Sequence, residues 1–192
     1  MTPERVRVAV LISGRGSNAM ALIKVAQRAE CPFEIVLVAA DRPDAEGLKL
    51  AAAQGIPAVG LPAPTPKDRN QFYAALDKVI RDHGAEVVAL AGFMRILPPD
   101  FVAKWEGRML NIHPSLLPKY KGLHTHERTL AAGDQVAGCS VHVVTAELDD
   151  GPVLGQTEVP IAPEDTPETL AARVLVAEHQ LYAQVLAEFV RR

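Results

Sequence analysis

Residues 7–13 form a near-continuous apolar run, and Gly14 and Gly16 stop it just before a stretch with helical spacing. That succession constrains the fold more than any other feature of the chain. A strand that is apolar on both faces must be covered on both faces. A glycine turn that leads straight into a helix starts the crossover to a neighbouring parallel strand. The helix is predicted over 18–29, with Ala19, Leu22, Ile23 and Ala26 on one side. The pattern then recurs. Residues 33–40 read as a second buried strand, and 45–54 as a helix stopped by Gly55. Residues 67–83 read as a longer helix, with Phe72, Leu76, Val79 and Ile80 apolar and Gly84 as its stop. Residues 87–91 and 109–112 are two more buried strands. The tail differs: 136–144 and 153–159 read as a strand pair joined through Glu147-Leu148-Asp149-Asp150-Gly151. Thr166 then caps a last helix, with Pro167 at its first position, that runs to about Val190. The predicted class is α/β: an open, mostly parallel twisted sheet with helices on both faces and a late antiparallel strand pair.

Composition limits what such a chain can do. With 192 residues, 48% of them hydrophobic, there is material for one substantial core, and residues 1–192 are expected to form a single domain. The proline run Pro62-Ala63-Pro64-Thr65-Pro66 reads as a stiff loop, not as a linker between domains. A net charge of −3 makes no electrostatic case for nucleic acid or an anionic membrane. The apolar run at 8–12 is too short for a membrane span or a signal-peptide core. Cys31 and Cys139 match no metal or redox spacing, which points to a reducing, cytoplasmic setting.

Three groups of residues carry chemistry. The loop Ser13-Gly14-Arg15-Gly16-Ser17-Asn18 joins strand to helix, and free amides at a helix start favour an anion. It lacks the P-loop pattern but fits a loose dinucleotide pattern through Gly14, Gly16 and Ala19, with Asp41 placed where a ribose-binding acid would sit. The second group is Asn111-Ile112-His113, followed at once by Pro114-Ser115-Leu116-Leu117-Pro118. Residues i and i+2 of a strand point the same way, so Asn111 and His113 are expected to face one pocket. An amide donor beside a protonatable ring is suited to stabilising an oxyanion and moving a proton. The third is Asp149, either a solvated turn tip or the carboxylate that orients and charges His113.

Taken together, these segments resemble the folate-dependent formyltransferases, and within them the glycinamide ribonucleotide transformylases. The likeness runs from about residue 8 to 182. It rests on Leu11-Ile12-Ser13-Gly14-Arg15-Gly16-Ser17-Asn18, on Leu90-Ala91-Gly92-Phe93-Met94-Arg95-Ile96-Leu97 and on the Asn111 to Pro118 stretch. Gly122-Leu123-His124-Thr125-His126, Ser140-Val141-His142 and Leu148-Asp149 complete it. Methionyl-tRNA formyltransferases and formyltetrahydrofolate deformylases share the Asn, His and Asp but carry an extra domain, for which this chain is expected to have no room.

The resemblance implies a Rossmann-like formyltransferase fold and transfer of a formyl group from 10-formyltetrahydrofolate, as co-substrate, to the amine of glycinamide ribonucleotide. It implies Asn111, His113 and Asp149 as catalytic residues. Gly16, Ser17 and Asn18 would hold the substrate phosphate. Leu175, Val176, Ala177 and Glu178 would form a second substrate segment, with Glu178 on the glycinamide amine and the plainer three acting through their backbones. Arg69 would meet the glutamate tail of the folate. Met94, Arg95, Ile96 and Leu97, with Asn111, Thr145, Ala146, Glu147, Leu148 and Asp149, would wall the pterin and formyl group. His124 and His126 with His113 could be read as a metal set, but no carboxylate or cysteine stands at a fitting interval, so no metal is expected; the pair is expected to line the site or cap the following helix. His142 reads equally as a partner of the site or a core histidine. His83 and His179 read as surface residues, and Lys119, Tyr120 and Lys121 as a solvated loop. The chain is expected to bind neither nucleic acid nor membrane; monomer and homodimer both stay open. Three rivals remain at this point: a nicotinamide-dependent dehydrogenase, a non-catalytic ribonucleotide-binding module, and a hydrolase that passes the formyl group to water.

Overall fold

The computed structural model describes residues 3–192. Seven strands form one sheet in the order β3-β2-β1-β4-β5-β6-β7. β1 (Val6–Ile12), β2 (Phe33–Ala40), β3 (Ala58–Gly60), β4 (Val87–Leu90) and β5 (Met109–His113) run parallel. β6 (Val136–Val143) and β7 (Val153–Pro160) complete the sheet in antiparallel sense, β6 on β5 and β7 on β6. The predicted mostly parallel sheet with a late antiparallel pair is therefore what forms.

Alternation along the strands divides the core. Val8, Val10 and Ile12 of β1 face a cluster built with α1 (Ser17–Ala26), α2 (Glu46–Ala53) and α6 (Pro167–Val190). Ala9 and Leu11 face the other side, where Phe72, Tyr73, Leu76 and Ile80 of α3 (Arg69–Asp82) and Phe101 of α4 (Pro99–Lys104) close the second cluster. Period two on a buried strand means that each face needs its own cover, and the helices provide it. Trp105, which follows α4, is buried and donates its indole N–H to Asp77 of α3 at 2.9 Å, so α3 and α4 are tied by a satisfied polar contact. On the opposite face Tyr182 of α6 donates to the carbonyl of Leu90 at 2.9 Å, pinning that helix over the ends of β4 and β5.

Local signals explain most boundaries. Thr166 accepts from the Thr169 amide and Thr169 returns a bond to the Thr166 amide, a reciprocal cap with Pro167 in the first turn. Two elements lie outside the sequence expectations, β3 and α4, while the helix expected near His124 and His126 is α5 (Thr125–Ala131), for which no range is predicted. Each is seven residues or shorter, so periodicity has too few repeats to register.

Candidate active site

Strand order reverses between β1 and β4, which opens a crevice above the carboxyl ends of the strands. The residues singled out above converge there. The loop after β1 and the loop after β4 meet directly: the Ser13 amide donates to the Gly92 carbonyl at 3.1 Å, and the Met94 amide donates to Ser13 Oγ at 2.9 Å. Next in the sheet, Leu90 pairs with Asn111, so Asn111 and His113 stand at the same end.

At the start of α1, Gly16 is the residue before the helix and has φ 72°, a left-handed conformation that glycine adopts without strain. A side chain there would press within 2.9 Å of Gly47 Cα. No side chain caps α1, so the first amides of the helix point unpaired from its start. Asn18 and Glu178 are both buried, and Asn18 Nδ2 donates to Glu178 Oε1 at 3.3 Å. This contact brings the loop of α1 and the second substrate segment of α6 together. Burial pushes the Glu178 carboxyl up to about 7, offset in part by the Asn18 bond. Leu175, Val176 and Ala177 are different. They lie inside α6, where main-chain N–H and C=O groups are used by the helix itself. Val176 also offers an exposed side chain there.

The catalytic candidates form one cluster. His113 is buried, its Nε2–H donates to the Tyr120 carbonyl at 2.9 Å, and its Nδ1 lies 3.6 Å from Asp149 Oδ2. Asp149 is also buried, in a left-handed conformation with φ 51°, and accepts the Gly122 amide at 2.8 Å. Asp149 is therefore folded over the ring, not a solvated tip. Its turn comes back close to β6: a Cβ on Gly151 would run into the Val143 carbonyl. His142 stands opposite Asn111 in the β5–β6 register. Its Nδ1–H donates to the Val143 carbonyl at 3.1 Å, which leaves the Nε2 lone pair to accept from Asn111 Nδ2 at 3.2 Å. Burial lowers the pKa of His142, so the ring stays neutral and can serve as that acceptor. His142 is thus a partner of the site. Asn111 keeps a second amide hydrogen for a ligand.

The loop after His113 is held by other strands. Ser140 Oγ donates to the Ser115 carbonyl at 2.7 Å and accepts the Leu117 amide at 3.0 Å, and Gln156 donates to the Leu117 carbonyl at 2.9 Å. Across the crevice, in the segments expected to wall a pterin, Met94 and Ile96 are 67% and 70% exposed, and Leu148 is 55% exposed. Thr145, Ala146 and Glu147 are exposed beside it, while Arg95 and Leu97 are half-buried. Arg69, at the start of α3, donates to the Ile96 carbonyl at 2.9 Å and lies over the Tyr73 ring at 5.4 Å.

The remaining histidines separate. His126 is half-buried, and burial together with nearby His113 lowers its pKa, which puts it beside the site. His124 precedes α5 but gives no side-chain cap; it pairs with Glu127 at 3.4 Å. His83 is not a free surface residue, since Nδ1 donates to the Val79 carbonyl at 2.7 Å. His179 is half-buried, with Nε2 enclosed and unpaired. Lys119 and the Tyr120 hydroxyl pair with Asp134, and Lys121 with Asp150. What sequence reasoning missed here is the main chain of that loop. The Tyr120 carbonyl and the Gly122 amide hold His113 and Asp149, and no side-chain motif announces them. Among the described residues no three His, Cys, Asp or Glu side chains cluster as a metal site, and no helix is long and apolar enough to cross a membrane.

With this geometry in view, comparison with known proteins is decisive. Residues 6–186 match the formyl transferase family. The chain belongs to that family. The crystal structure of phosphoribosylglycinamide formyltransferase from Brucella melitensis superimposes with a TM-score of 0.92 at 47% identity, covering 97% of this chain and 96% of that one. Phosphoribosylglycinamide formyltransferase of Escherichia coli is 44% identical over 95% of this chain and 86% of its own length. The trifunctional purine biosynthetic protein adenosine-3 of Gallus gallus is 46% identical over 95% of this chain, which spans only 18% of that larger protein. For a formyl transferase, the dinucleotide pattern at Gly14 and Gly16 has another reading. Asp41, the acid that pattern would require, is engaged by Arg95 at 2.6 Å.

Proposed function

We propose that this chain transfers the formyl group of 10-formyltetrahydrofolate to the amine of glycinamide ribonucleotide, giving formylglycinamide ribonucleotide and tetrahydrofolate in de novo purine biosynthesis. The observation that carries the reading is the cluster of Asn111, His113, Asp149 and neutral His142 between an uncapped helix start and an exposed apolar wall. Residues 1–192 are read as one catalytic domain acting in the cytoplasm; the two cysteines are free and buried, and burial pushes the Cys139 thiol up to about 12.

The chemistry follows from the residue types. The amine nitrogen bonds to the formyl carbon, the carbon–N10 bond breaks, and one proton passes from the amine to N10. The tetrahedral oxygen that forms is met by the free hydrogen of the Asn111 amide. Asn111 is aimed by the lone pair of His142, which only the neutral ring offers. His113 keeps Nε2–H on the Tyr120 carbonyl, so Nδ1, facing Asp149, is the nitrogen that gains and gives the travelling proton. Asp149, 3.6 Å from Nδ1, faces the ring and holds its plane. Gly16, Ser17 and Asn18 receive the phosphate through main-chain amides. Glu178, neutral when empty at low pH, ionises against the substrate's amine. Arg69, Met94, Arg95, Ile96 and Leu97, with 145–148 opposite, receive the folate. The cycle needs no metal and no covalent enzyme intermediate.

The test is to mix the protein with 10-formyltetrahydrofolate, with and without glycinamide ribonucleotide. Tetrahydrofolate release that requires the ribonucleotide is the expected result. Equal release without it would identify a hydrolase.

A further inference from the structure

We propose that Asp41 is a positioning residue for the folate: it aims Arg95 and so holds the shape of the 93–97 wall, taking no part in the transfer. This rests on the folate side of the reading above. Asp41 stands just past the end of β2 and is 4% exposed. Its Oδ2 accepts from Arg95 Nε at 2.6 Å, while Oδ1 is enclosed and has no partner. A buried carboxylate with one oxygen unused is an unfavourable choice for packing alone. Its value lies in what it does to Arg95.

The wall itself explains why a clamp is required. Phe93 is buried and Leu97 packs beside it, but Met94 and Ile96 are among the most exposed large apolar side chains of the molecule, so burial does not hold the stretch between. Polar contacts from three separate elements do. Ser13 after β1 takes the Met94 amide, Arg69 of α3 takes the Ile96 carbonyl, and Asp41 after β2 takes the Arg95 side chain. The last two are linked through stacked rings. Arg95 lies 5.9 Å from the Phe72 centroid, Phe72 packs edge-on against Tyr73 at 5.0 Å, and Arg69 covers Tyr73 at 5.4 Å. Asp41 is the carboxylate within this pair of guanidiniums. By engaging Nε it leaves the two outer nitrogens of Arg95 to face an anionic ligand. It also offsets the repulsion that would push Arg95 and Arg69 apart.

The test uses Asp41→Ala and Asp41→Asn in the full chain. Equilibrium binding of tetrahydrofolate alone is measured first, then steady-state transfer with each substrate varied. The expected result for Asp41→Ala is folate binding weakened about five- to thirty-fold. The folate KM rises in parallel, and kcat and the ribonucleotide KM stay within about twofold. Asp41→Asn keeps a neutral acceptor for Nε and restores part of the loss. In an Arg95→Ala background, Asp41→Ala adds nothing, because the two act as one unit. Unchanged tetrahydrofolate binding overturns the proposal. So does a common fall in both affinities together with a lowered melting temperature, which assigns Asp41 to the fold, and so do additive losses in the double variant. Weakened tetrahydrofolate binding in a protein that fails to transfer formyl would sustain this inference while sinking the proposed function.

Discussion

Both ring nitrogens of His113 have partners before any substrate arrives: the Tyr120 carbonyl on one side and the Asp149 carboxylate on the other. Replacing Asp149 by asparagine removes the charge and nearly keeps the shape. Activity at pH 7 is expected to drop about 10²–10³-fold. Ribonucleotide KM should hardly move, since the loss falls on the transition state. A turnover rate within about twofold of the parent's would show that the charge of the carboxylate plays no part. Glu178 gives a second prediction at this scale. Burial raises its pKa from 4.5 to about 7, so the folded chain binds that proton more tightly than the unfolded chain. The empty protein is therefore favoured at pH below about 4.5 and loses that advantage progressively up to about pH 7, by about 3 kcal/mol. Glu178→Gln should abolish this part of the slope. Melting curves at pH 5 and pH 8 for parent and variant measure it, and the parent should lose about 5–10 °C more than the variant. Equal losses would mean that Glu178 is not strained when ionised.

The connection between β6 and β7 carries Asp149 onto His113. Gly151 approaches the Val143 carbonyl so closely that any Cβ must displace one of them, and two residues earlier Asp149 is held in a left-handed conformation. Gly151→Ala should thus move the 145–150 turn away from His113. The expected outcome is a fall in kcat of at least about tenfold with far-ultraviolet circular dichroism retained, because a displacement of about 1 Å at the chemistry is costly while the sheet can keep its pairing. Full activity in that variant would show that the turn is free to adjust. The elements on the other side of the crevice divide the work differently. α1 offers main-chain amides, and α6 offers the buried carboxylate of Glu178.

At the scale of the molecule, loops from β1, β4 and β5 leave the sheet side by side, and there the proposed reaction brings its two substrates together. Ligand binding therefore braces the joints between neighbouring strands. Glycinamide ribonucleotide at about 100 times its Kd should raise stability by about 2.7 kcal/mol, or about 5–10 °C in a chain of this size. Thermal unfolding with and without ligand reads this directly. Gly16→Val should lose most of the shift for the ribonucleotide and keep that for tetrahydrofolate. Loss of both shifts together would place Gly16 in the fold, not in the phosphate loop.

The class of the fold, the glycine turn before α1 and the Asn111–His113 pair were legible in the amino-acid order because each depends on local rules: apolar period, glycine punctuation, strand alternation and helix caps. The cap at Thr166 and the strand at Phe33–Ala40 are such cases. The tertiary structure decided what depends on register and on main-chain groups. His142 becomes the partner of Asn111 only once β6 pairs antiparallel with β5. Asp149 turns from a solvated tip into the partner of His113 only when its turn closes onto β6 and the 120–122 loop lends a carbonyl and an amide. Asp41 fits a dinucleotide pattern along the chain, yet it meets Arg95, 54 residues away, because β1 and β2 end beside the loop that follows β4. Such contacts join residues that no local period relates, and only the packed sheet brings them within hydrogen-bonding distance.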